Sequence, residues 1–123
     1  MHGLDKAVDA YGVHEYPWQN TAQARKASLE NNVVARCSAA GKPCWITEWG
    51  YNNASEACPL NDGARAALVN ETMNELRHPA KLGRVIGEIY FSWNSDPWAT
   101  KPSASSVFRC GGLTKSGRIA VTP

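Results

Sequence analysis

Glu48 is the residue whose surroundings suggest chemistry. It closes an apolar run, Cys44-Trp45-Ile46-Thr47-Glu48-Trp49, with tryptophans on either side and a glycine after it. Burying a carboxylate at such a place is costly unless it has work or partners there. Two other apolar runs break into polar and aromatic side chains in the same way. Ala7 to His14 leads into His14-Glu15-Tyr16-Pro17-Trp18, and Val85 to Trp93 leads into Asn94-Ser95-Asp96-Pro97-Trp98. A carboxylate, an imidazole, a phenol and several indoles together suit a sugar. Flat aromatic faces stack on pyranose rings, and the polar groups bond the hydroxyls. A glutamate among them can attack an anomeric carbon. The plainer alternative is a strand-end glutamate paired with a basic residue, and tryptophans that only pack.

The elements that must position these residues alternate along the chain. Ala7–His14 reads as a strand, with His14 and Tyr16 on one face and Glu15 on the other. Asn20-Thr21 can cap a helix running to about Ala40, where Gly41 ends it. Leu29, Val33 and Cys37 form its apolar stripe. The Glu48 strand follows from Cys44 to Trp49. Tyr51 to Leu60 reads as a loop, and Asn61 or Asp62 caps a second helix, Gly63 to about Arg77, with Val69, Met73 and Leu76 facing inward and Pro79 and Gly83 ending the segment. Val85–Trp93 is a third strand, with Ile89, Phe91 and Trp93 on one face and Glu88, Tyr90 and Ser92 on the other. A turn is expected at Lys115-Ser116-Gly117. The order β-α-β-α-β builds a parallel sheet with right-handed crossovers. The expected fold is α/β, with 1–123 as one domain.

Composition narrows the function. The chain has 123 residues, 43% hydrophobic, and a net charge of +2. That is enough to bury a core, and no basic run points to nucleic acid or an anionic membrane surface. No apolar stretch approaches a membrane span. No glycine-rich phosphate loop and no G-x-S-x-G elbow follows a strand. The four cysteines lack a C-x-x-C pair and the histidines stand far apart, which argues against zinc. No metal or cofactor is expected. Cys37 at the helix end and Cys44 at the strand start lie within disulfide reach. Cys58 and Cys110, both in loops after strands, make the second pair; the alternative is four separate thiols. Two disulfides imply an oxidising, secreted or periplasmic setting, although the first residues, Met-His-Gly-Leu-Asp-Lys, carry no signal-peptide pattern.

These residues also resemble a known family. Asp9-Ala10-Tyr11-Gly12-Val13-His14-Glu15-Tyr16-Pro17 is similar to the sixth strand of clan A glycoside hydrolases, the (β/α)8-barrel group of cellulases, β-mannanases and β-xylosidases. Lys42-Pro43-Cys44-Trp45-Ile46-Thr47-Glu48-Trp49-Gly50 resembles the seventh, and Tyr90-Phe91-Ser92-Trp93 the eighth. The resemblance implies a partial barrel, β6-α6-β7-α7-β8, and a retaining hydrolase of β-linked poly- or oligosaccharide. It implies Glu48 as nucleophile, His14 and Tyr16 lining the sugar site, and Trp93 as the platform beneath the sugar. Trp49, Trp98 and Trp18 are further candidate contacts.

The match has a gap. The family's acid/base glutamate, from an Asn-Glu pair on the fourth strand, has no counterpart, and a full barrel needs about 250 residues. Glu15, Glu56, Glu88 and Asp96 are the spare acids, none a convincing replacement. The alternative function is therefore a non-catalytic carbohydrate-binding fragment, or a structural α/β module. Three strands with open edges also predict self-association, most simply a dimer.

Overall fold

The computed structural model describes residues 3, 6–52, 62–94 and 104–122. The chain forms β1 (Tyr11–Glu15), α1 (Ala22–Leu29), a π-helical turn (Glu30–Val34), α2 (Ala35–Ala40), β2 (Cys44–Trp49), α3 (Gly63–Lys81), β3 (Val85–Tyr90), β4 (Phe108–Arg109), β5 (Gly112–Leu113) and α4 (Lys115–Ala120). This is a mixed α/β fold with a three-stranded sheet in the order β1-β2-β3, β1 and β2 being parallel. Two compact units are distinguished: Met1–Trp49 with Asn74–Ile89, and Gly50–Met73 with Tyr90–Pro123.

In the first unit the helix after β1 begins where Thr21 accepts the Ala24 N–H, and ends where Gly41 turns left-handed at φ 64°. The stripe expected to pack does so: Leu29, Val33 and Cys37 are 4%, 0% and 1% exposed. One face of the sheet is covered. Glu15 bonds Ser28 of α1, and Cys44 is disulfide-bonded to Cys37 of α2 as expected. Gly12 and His14 lie on the open face.

In the second unit a buried ion pair replaces a simple helix cap. The Asp62 carbonyl accepts the first helical N–H, from Ala66, at 2.9 Å. The Asp62 carboxylate instead takes Arg65 Nε at 2.7 Å and the Ser116 N–H at 3.0 Å, and it also bonds the Ser116 hydroxyl. Arg65 completes its fork on the Ala104 and Ser106 carbonyls and on Thr114 Oγ1. Both charged side chains are 1% exposed. Burial by itself raises the Asp62 carboxyl, but the Ser116 and Arg65 hydrogen bonds and the guanidinium charge outweigh it and hold the group below its ordinary range. β4 and β5 form an antiparallel hairpin whose turn residues, Cys110 and Gly111, both have positive φ, 54° and 79°, as a two-residue primed turn requires. Cys110 is disulfide-bonded; its expected partner, Cys58, lies outside the described residues.

Several boundaries differ from the sequence reading. β1 begins at Tyr11, not Ala7, because the ladder starts where the Tyr11 N–H reaches the Pro43 carbonyl at 3.0 Å. Helix α3 runs through Pro79 to Lys81. A proline so near the end removes few helical bonds, and Gly83, at φ 68°, makes the stop. β3 ends at Tyr90, because the backbones of Ser92 and Trp93 bond Val107 and Phe108 instead. Lys115-Ser116-Gly117 opens a helix, since Thr114 accepts the Gly117 N–H as its cap.

Candidate active site

β1 and β2 bring His14, Tyr16 and Glu48 together. The register pairs Tyr11 with Cys44, Gly12 with Trp45 and Val13 with Ile46, then skips Thr47, so that His14 faces Glu48. The extra residue in β2 is a bulge, which re-aims the side chains that follow it. Without it, alternation would set Glu48 beside Cys44 and Ile46, which are 1% and 0% exposed. With it, the carboxylate stays on the His14 face at 35% exposure. Thr47 donates its hydroxyl to the Val13 carbonyl at 3.3 Å, supplying a partner where the ladder is broken.

The Tyr16 phenol donates to Glu48 Oε2 at 2.6 Å, and His14 Nδ1 lies 3.5 Å from the same oxygen. Burial first, then the hydrogen bond to Glu48 and the Glu48 charge, push the phenol up to about 12. Tyr16 therefore stays a donor at any working pH. Trp18, 61% exposed, holds its ring 5.2 Å from that of Tyr16. Among the described residues the strand-end carboxylate thus meets a phenol and an imidazole, and no lysine or arginine.

The other predicted site residues fall elsewhere. Trp49, expected as a sugar contact, is 1% exposed. The bulge that frees Glu48 turns the next side chain back into the core, so the chain as described offers no open indole face there. Trp93 belongs to the second unit, is 55% exposed and stacks on Phe108 with centroids 5.6 Å apart. Trp98 lies outside the described residues, as do Glu56 and Asp96. Of the remaining spare acids, Glu15 is turned to the covered face and bonded to Ser28. Glu88 is pushed up to about 7 by burial, and its Oε2 has no hydrogen-bond partner among the described residues.

Two features escaped the sequence reading. One is Trp45, 43% exposed on the open face. A Cβ on Gly87 would sit 2.1 Å from its ring, so only glycine on the neighbouring strand lets the indole lie there. A glycine inside Val85–Tyr90 was the available signal for such close approach. The other is the Ser28 network behind Glu15, which single residues do not announce. Among the described residues no group of His, Cys, Asp and Glu is placed to hold a metal, and no helix is long and apolar enough to cross a membrane.

Comparison with solved structures gives a likeness to Faecalibacterium prausnitzii Beta-glucuronidase, with a TM-score of 0.66 and 16% identity. The match covers 97% of this chain and 23% of that one. At this identity the likeness concerns the fold, and the chain spans about a quarter of that relative. No curated protein matches. A family model described as the glycosyl hydrolase catalytic core matches residues 3–120, and the chain belongs to that family.

Proposed function

We propose that this chain is the nucleophile-bearing part of a retaining β-glycosidase acting on β-linked poly- or oligosaccharide. In this reading β1, β2 and β3 are strands six, seven and eight of a (β/α)8 barrel, and 1–123 is one partial barrel domain. The observation that carries it is the Glu48 carboxylate held by the Tyr16 hydroxyl at 2.6 Å, with His14 opposite. Glu48 attacks the anomeric carbon and the leaving oxygen departs with a proton from an acid. A glycosyl ester forms on Glu48, and water cleaves it. Tyr16 orients the carboxylate and steadies its charge until the bond forms. His14 and Trp18 are the proposed sugar contacts, and the disulfide fits an exported protein.

Among the described residues no carboxylate takes the acid/base position. Such a group stands about 5 Å from a retaining nucleophile. Glu15 and Glu88, the spare acids among the described residues, are respectively bonded to Ser28 and half-buried with one carboxylate oxygen enclosed. That favours one second reading, a module that binds sugar without turning it over. Turnover of aryl β-glycosides and soluble β-glucans, mannans and xylans, with Glu48→Gln as control, tests the proposal, followed by a fluorinated-sugar trap and peptide mapping. The expected result is activity abolished by Glu48→Gln and a label on Glu48. A label on another residue would refute the nucleophile assignment. No turnover, with sugar-dependent tryptophan fluorescence, would establish the binding module.

A further inference from the structure

The segment linking β1 to α1 carries Tyr16 and Trp18, and both its ends are tied to one hydroxyl. Ser28 Oγ donates to Glu15 Oε1 at 2.6 Å. It accepts from Gln19 Nε2 at 3.0 Å and from Asn32 Nδ2 at 3.1 Å. A hydroxyl has one donor and two acceptor sites, so this one is saturated. The Gln19 carbonyl is in turn held by Arg25 Nη1 at 2.9 Å. Only Tyr16, Pro17 and Trp18 span the gap between Glu15 and Gln19. Pro17 is buried with its φ fixed, and the Trp18 N–H donates to the Tyr16 carbonyl at 2.8 Å. Asn32 belongs to the π-helical turn Glu30–Val34, a distortion that often accompanies functional sites.

Glu15 is 7% exposed and lies on the face opposite His14 and Tyr16, so it does not reach a sugar at Glu48. Packing alone would be better served there by an apolar residue. We propose that Glu15, acting through Ser28, is a positioning residue, and that the Glu15–Ser28–Gln19 latch holds the Tyr16 phenol on Glu48 and keeps Trp18 beside it. The inference rests on the reading of Glu48 as nucleophile and adds the device that fixes its orienting phenol.

The test is NMR titration of the full chain labelled with ring-13C tyrosine, the Tyr16 signal being assigned with Tyr16→Phe. With the phenol at about 12, roughly a tenth of Tyr16 is phenolate at pH 11. Glu15→Ala and Ser28→Ala are expected to raise that fraction about fivefold or more, as the phenol leaves Glu48 and returns toward its ordinary value. Glu15→Gln keeps an amide oxygen that accepts from Ser28, and is expected to stay near the parent. Ser28→Ala removes a single oxygen and decides the matter if Glu15→Ala does not fold. An unmoved Tyr16 in the folded variants would overturn the proposal, and so would Glu15→Gln releasing Tyr16 as fully as Glu15→Ala. The titration needs no substrate. A failed latch therefore shows as an unmoved Tyr16 with Glu48 still labelled by the trap, and a failed nucleophile as a label elsewhere with the latch intact.

Discussion

Asp62→Asn tests the buried framework of the second unit. The change keeps the shape of the side chain and removes its charge. It leaves Arg65, 1% exposed, with a guanidinium that still bonds Ala104, Ser106 and Thr114 but faces no anion. An amide NH2 turned toward Arg65 would also set donor against donor. Breaking a buried pair at one end costs about 3–5 kcal/mol. At about 2.1 cal/mol/K per residue, unfolding 123 residues carries roughly 0.26 kcal/mol/K, so 3 kcal/mol is a fall of roughly 12 °C in Tm. The pH dependence has a definite sign. The folded carboxyl lies below its unfolded value, so its contribution is complete above about pH 4 and is lost as pH falls through the folded value. Thermal melts followed by circular dichroism between pH 2 and pH 7 measure both effects. The variant is expected to melt far lower at pH 7 and to show a flatter acid limb than the parent. Asp62→Asn with Arg65→Met is expected to recover part of the loss. A fall under about 4 °C, the size of an exposed pair's contribution, would refute the argument that burial makes this pair costly to break.

Glu88 predicts the opposite pH trend. Burial raises its carboxyl to about 7 in the fold, so stability falls as pH rises from the ordinary glutamate range through 7. Glu88→Gln is therefore expected to melt near the parent at pH 5 and above it at pH 8; equal melting at both would count against a strained carboxylate. The sheet edges β1 and β3, with Ile86 and Ile89 about half exposed at 47% and 53%, predict self-association as a dimer. A monomer by light scattering at high concentration would sink that idea.

The parts of the fold legible in the sequence were those governed by local rules. The stripe Leu29, Val33, Cys37 carries a helical period, Thr21 and Gly41 are capping residues, and Cys44–Trp49 was bounded correctly because Gly41 and Pro43 precede it and Gly50 follows. The parity of His14, Glu15 and Tyr16 was also legible, whereas the hydrogen bond of phenol to carboxylate depends on the β1–β2 register, which alternation alone does not give. What failed depended on partners distant in sequence. β3 loses Phe91 to Trp93 because the backbones of Ser92 and Trp93 find bonds near residues 105–108, which no window around Val85 reveals. Asp62 looks like a cap, but its carboxylate is drawn into a buried pair with Arg65 three residues on, and two of its donors come from Ser116, 54 residues later.

Trp49 and Glu48 show how one residue separates stability from chemistry. Strict alternation through Cys44–Trp49 would bury Glu48 with Cys44 and Ile46, and would open Trp49 to a ligand. The bulge at Thr47 reverses both. A carboxylate in the core would be cut off from water at a high desolvation cost; on the open face it meets the Tyr16 donor. An indole on the open face would lose its burial; turned inward it is 1% exposed. Thr47 suits the skipped position because its hydroxyl reaches the Val13 carbonyl at 3.3 Å, which an alanine or valine cannot do. The two residues sequence reading placed side by side at the site therefore diverge for one geometric cause, and the side chain that makes the divergence affordable is the unremarked threonine between the isoleucine and the glutamate.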